Sequence, residues 1–170
     1  MIHPIRAMKA KLVSVGLLLV GVATVGMPAF ASTTATTTFT VTATVQATCT
    51  IAATAMTFAS AYTGAANINA TSTVTATCTN TTPYTIGLDA GTTTGATTTN
   101  RLLAGPSGAT LKYQLYSDSG HTTYWGNTTK VVSGTGNGSA QAMTVYGQIL
   151  SGQLPAPGTY TDTVTATITY

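Results

Sequence analysis

Tyr160–Tyr170 reads YTDTVTATITY. Its even positions are Tyr160, Asp162, Val164, Ala166, Ile168 and Tyr170, and its odd positions are all Thr. Side chains alternate across a strand, so this period of two describes a strand with one buried and one solvated face, the pattern of antiparallel sheets. Shorter versions occur at Val74-Ala76-Cys78, Tyr84-Ile86-Leu88, Leu111-Tyr113-Leu115 and Met143-Val145. Gly and Pro clusters separate them at Gly91–Gly95, Gly105-Pro106, Gly134–Gly138 and Pro155–Gly158. Turn residues fix where a strand must stop. Many short strands at this spacing predict an all-β immunoglobulin-like sandwich.

Composition agrees. The 170-residue chain opens with three cations, Arg6, Lys9 and Lys11, then an apolar run from Leu12 to Val25 and an Ala29-Phe30-Ala31 end. That order is expected of a secretory signal peptide over residues 1–31, too short and Gly-interrupted to span a membrane. Removing 31 residues from 170 leaves 139, of which 40 are Thr, seven are Leu and none is Glu. β-Branched residues lose rotamers in a helix and pack well on a pleated surface, so the remainder is expected to be one all-β domain. Beyond the leader Arg101, Lys112 and Lys130 balance Asp89, Asp118 and Asp162, and the net charge is zero. Three scattered cations cannot track a phosphate backbone, which excludes nucleic acid.

Catalysis finds little to work with. His121 is the one histidine beyond the leader, in a Ser/Gly/Thr turn, and a triad of Asp118, Ser119 and His121 would need an orientation that consecutive loop residues rarely give. The three Asp are far apart, and Asp162 reads as a structural acceptor near the start of its strand. Trp125 with Tyr124 and Tyr116 reads as core or subunit contact, with a glycan platform as the alternative. Cys49 and Cys78 admit one pairing, and a chain addressed to an oxidising compartment is expected to form it. Free thiols serving a redox or metal site are the alternative.

Both ends of the chain are unusual. From Phe39 the odd positions run Phe39, Val41, Ala43, Val45, Ala47, Cys49 and Ile51, with Thr or Gln46 between them. Such a run holds about twice the five or six residues that one sandwich strand uses. Either it bends and crosses between sheets or its first half serves a sheet elsewhere. The final strand ends at Tyr170 with no Lys or Pro to blunt its edge. A surplus strand at one end and an open strand at the other fit head-to-tail exchange between copies, unless the two ends pair within one molecule.

The stretches FTVTATVQATC (Phe39–Cys49), CTNTTPYTIGLDAG (Cys78–Gly91), LKYQLY (Leu111–Tyr116), Trp125-Gly126, Val145-Tyr146-Gly147 and GTYTDTVTATITY (Gly158–Tyr170) resemble, in order and spacing, the spore coat protein U domain family. Phe58-Ala59-Ser60-Ala61-Tyr62 departs from the family's usual Phe-Gly. The resemblance implies a subunit of archaic chaperone–usher pili, an incomplete immunoglobulin-like sandwich completed by a donated strand. It implies a periplasmic chaperone, an outer-membrane usher and neighbouring pilus subunits as partners, no cofactor and no enzymatic activity. The protein would pass through the periplasm to the cell surface. On this chain the donor segment would be residues 32–45, with Phe39, Val41, Ala43 and Val45 as plugs. Residues 46–170 would be the pilin domain. Tyr160, Val164, Ala166, Ile168 and Tyr170 would edge the acceptor groove and pair first with the chaperone, while Cys49 and Cys78 tie two strands together. A spore-coat or matrix protein exported by the same route, or a self-contained carbohydrate-binding adhesin domain, are the alternatives.

Overall fold

The computed structural model describes residues 30–59 and 61–170, so most of the expected leader lies outside the described residues. Residues 30–42 form a unit of their own; they carry no strand and their side chains are exposed. Residues 43–170 form the body. Its strands are β1 (Cys49–Ala53), β2 (Ile68–Cys78), β3 (Pro83–Leu88), β4 (Arg101–Ala104), β5 (Thr110–Tyr116), β6 (Val132–Thr135), β7 (Ala140–Ile149) and β8 (Ala166–Thr169). Among the described residues the one helical element is a single 3₁₀ turn, Pro106–Gly108. The all-β expectation holds.

The strands form two sheets, ordered β1-β2-β7-β5-β4 and β6-β3-β8, with every pairing antiparallel. Between them lies a core in which Val74, Ala76, Ile86, Leu115, Trp125 and Val145 are buried. Alternation does the sorting. In β2 the even residues from Val74 to Cys78 point inward, while Thr73, Thr75 and Thr77 face out. Register places Thr77 opposite Ala140, Thr75 opposite Ala142 and Thr73 opposite Thr144, and β1 adds Thr50 and Ala52 to the first two rows. Along these three rows the outer face is Thr and Ala without a charge, and farther along it continues as Thr71 beside Tyr146 and Asn69 beside Gln148.

Cys49 and Cys78 are partners in the β1–β2 register and are joined by a disulfide, with Cα atoms 4.1 Å apart. The bond fixes the first rung of an edge strand whose only ladder partner among the described residues is β2.

The order matches the seven-strand immunoglobulin scheme, in which A, B, E and D face C, F and G. Here β1, β2, β7 and β5 take the first four places, and β3 and β8 those of C and F. Tyr160 supplies an independent marker. Its hydroxyl donates to the Ala156 carbonyl at 2.7 Å, the tyrosine corner that precedes strand F in this architecture. Gly105 accommodates the ring, since a Cβ there would sit 2.1 Å from the Tyr160 ring. Beside β8, where G belongs, the described residues place no strand.

One sequence expectation needs correction. The final segment is not one eleven-residue strand. Thr161 pairs with Ala104 on the edge of the larger sheet, and only Ala166–Thr169 joins β3 in the smaller one. The chain crosses between layers about 10 Å apart over residues 162–165, and a crossing segment cannot keep one ladder. At the other end, where the sequence left open a bend between sheets or service to a sheet elsewhere, strand structure begins at Cys49. Residues 39–48 alternate in sequence but carry no ladder, and a strand needs a partner to exist.

Candidate functional site

A cavity of about 960 Å³ opens between the sheets where strand G would lie. Its size is that of a ligand-binding cleft, which makes it the candidate functional site of the body. Val74, Val145 and Ile149 are among its lining residues and are only 2–3 % exposed, so it reaches the core between the sheets. One wall is the chain that follows β1. Beyond Ala53 a single ladder bond continues, from the Thr54 amide to the Thr73 carbonyl at 2.9 Å, and the chain then runs as coil. Met56 and Phe58 from this coil lean on β7, where Gly147 leaves room for them. The opposite wall is the crossing segment, Pro155–Val164, continuing to Ala166.

Beyond the single bridge between Thr161 and Ala104, two carboxylates hold that second wall. Asp162 Oδ2 accepts from the Tyr113 hydroxyl at 2.7 Å, and Oδ1 accepts from the amides of Thr92 and Thr163, each at 2.9 Å. Asp89 Oδ1 accepts from the amides of Thr165 at 2.9 Å and Gly91 at 3.0 Å, while the Asp89 amide donates to the Thr165 carbonyl. Burial would raise the Asp89 carboxyl. The amide hydrogen bonds from Thr165 and Gly91 and the nearby Arg101 charge outweigh it, and the group titrates below its ordinary 3.8. Burial, reinforced by the bond to Asp162, pushes the Tyr113 phenol far above its usual range.

Arg101 lies beneath this clamp and is completely buried. Its Nε donates to the Asp89 carbonyl at 2.7 Å and Nη1 to that of Thr98 at 2.8 Å. Nη2 donates to the carbonyls of Leu88 at 2.9 Å and Trp125 at 2.8 Å. Burial draws its pKa below the ordinary value, and Tyr113, Asp89 and Asp162 push back. The sequence reading missed this residue. The available signal was a lone cation beside Leu102-Leu103 in a chain with almost no charge.

The expected site residues fall in different places. Tyr160, Val164 and Ala166 line the cavity, Ile168 packs against the core, and Tyr170 is 59 % exposed beyond β8. Phe39, Val41 and Val45 are more than three-quarters exposed, and Ala43 is exposed as well. Trp125 is fully buried and donates from Nε1 to the Ile86 carbonyl at 2.9 Å, so it is core and not a glycan platform. His121 is set edge-on to Tyr116, ring centroids 5.1 Å apart, and Tyr124 stacks on Tyr116 at 5.0 Å. Among the described residues no three His, Cys, Asp or Glu side chains gather as metal ligands. Asp162 takes the structural acceptor role expected of it and also anchors Tyr113.

A family profile described as Spore Coat Protein U domain matches residues 35–167. No curated protein matches the sequence. Among solved structures, the body is similar to the CsuC–CsuE chaperone–tip adhesion subunit pre-assembly complex from archaic chaperone–usher Csu pili of Acinetobacter baumannii. The TM-score is 0.58 and the identity 23 %, over 75 % of this chain and 41 % of that one. At this identity the likeness establishes the sandwich fold, and the chain spans about two-fifths of its neighbour's length.

Proposed function

Because this chain belongs to the Spore Coat Protein U domain family, we propose that it is a structural subunit of a secreted surface fibre, assembled on the chaperone–usher route by strand exchange between copies. The observation that carries this reading is the apolar groove at the missing strand position, in a chain that also owns an unpaired alternating segment. Residues 32–45 of one subunit would lie in the groove of the next, directing Phe39, Val41, Ala43 and Val45 to the floor. Each fully buried Val or Phe contributes about 1.5–3 kcal/mol, and a row of main-chain bonds closes the β8 edge. A periplasmic chaperone would fill the same groove before an outer-membrane usher passes the subunit outward. The joint uses no cofactor and no bond-making step, so the role is structural rather than catalytic. Burial of Trp125 removes the platform on which a self-contained carbohydrate-binding domain would rest. A spore-coat or matrix protein would be built by the same joint.

A thermal melt tests the reading. The oxidised chain starting at Gln46 is heated with and without a peptide of residues 33–45. A marginal chain that gains a sharp, higher transition with peptide is the expected result. A stable, cooperative melt indifferent to the peptide would show the sandwich already complete and refute strand donation.

A further inference from the structure

We propose that the charge-free outer face of β1, β2 and β7 is a self-association surface, which packs against the same face of a second copy and bundles fibres side by side. The inference rests on the fibre reading above. Its carrier is the set of three rows described earlier, in which Thr77, Thr75 and Thr73 stand opposite Ala140, Ala142 and Thr144. No charged side chain interrupts them, and the whole body has three cations against three carboxylates. Soluble domains ordinarily carry about a quarter of their residues as charges, and a net charge away from zero keeps copies apart. This chain carries 5 %. Flush, small side chains also allow two sheets to approach at ordinary sheet-to-sheet spacing, as they do where sheets stack.

The face suits a copy of itself. In an isologous two-fold contact one patch meets the same patch, so the Thr and Ala rows of one copy would face those of the other. The rows end at Tyr146, two residues beyond Thr144 on the same face, with the His121 ring 6.3 Å from it. Three strands about 4.8 Å apart and five to six residues long give a patch of roughly 300 Å² per copy. Two such faces bury about 600 Å², half or less of the 1,200–2,000 Å² that a stable pair requires. Single subunits should therefore stay apart. Repeated once per subunit along a fibre, the same weak contact adds up through effective concentration.

Fibres of wild type, Thr75→Lys and Thr135→Lys are assembled and followed by light scattering and electron microscopy, with SDS-resistant ladders reporting linear assembly. Thr135 lies on β6 at the outer face of the other sheet and controls for added charge in general. The expected result is bundles for wild type and Thr135→Lys, single fibres for Thr75→Lys, and the same ladder for all three. Bundles in Thr75→Lys equal to wild type, or single fibres in the wild type, would overturn the proposal alone. A wild type that makes no ladder overturns the strand-exchange reading, and this proposal with it.

Discussion

Arg101 shows how much of this sandwich hangs on one side chain. A buried cation is costly unless its donors are satisfied, and here four hydrogen bonds to main-chain carbonyls do so, drawing the 88–89, 98 and 125 segments onto one guanidinium. Arg101→Ala leaves buried carbonyls without donors and should lower stability by about 3–5 kcal/mol in urea melts. Arg101→Lys should recover little of it, because one ammonium cannot reach acceptors spread around a planar fork. Asp89 makes a pH-dependent contribution. Its folded pKa lies below the ordinary 3.8, so its stabilisation is complete above 3.8 and fades as pH falls through the lower folded value. The gap in Tm between wild type and Asp89→Asn, worth about 1 kcal/mol for a half-exposed group, should hold from pH 8 to 5 and narrow below about 3.8. A gap unchanged at pH 2 would discard this account. Neither role was legible in the sequence, where Arg101 and Asp89 are isolated charges whose partners are main-chain atoms that no pattern of side chains announces.

Elements with a clean period of two were legible. The cores of β2, β3, β5 and β7 lie where their apolar alternation puts them, because a face that must be buried fixes register. β4 and β6 escaped notice; each has four residues, and Arg101 or Gly134 breaks the alternation. The groove wall escaped for a different reason: alternation continues through Thr161–Thr165 although the chain is changing sheets, and the anchoring carboxylates and tyrosine corner are tertiary. Tyr160→Phe removes the hydroxyl that fixes this corner and should cost about 1 kcal/mol in the same melts. The disulfide is a larger matter. It spans 29 positions, and chain entropy values such a loop at about 3.5 kcal/mol. Cys49→Ser with Cys78→Ser should lose roughly that amount, with amide exchange rising first in β1, an edge strand paired on one side. Uniform exchange across the body would argue against a local role for the bond.

For the molecule as a whole, the proposed joint makes the surplus N-terminal segment and the G position left empty among the described residues two halves of one arrangement. The first was visible as alternation beyond the length of a strand; the second required the topology. In a fibre joined as proposed, tension enters each subunit through the chain just before Cys49. Pulling on the end of a lone edge strand ordinarily unzips it, one rung at a time, each at small force. Here the first rung is covalent, since Cys49 and Cys78 face each other. The load passes from the linker directly into β2, an interior strand paired on both sides. Peeling cannot start without breaking the bond or shearing β2 from β7 along their ten paired positions. A reductant should therefore turn a high rupture force in single-molecule stretching into a low, stepwise one. The disulfide then serves less as a thermal staple than as a tow-point.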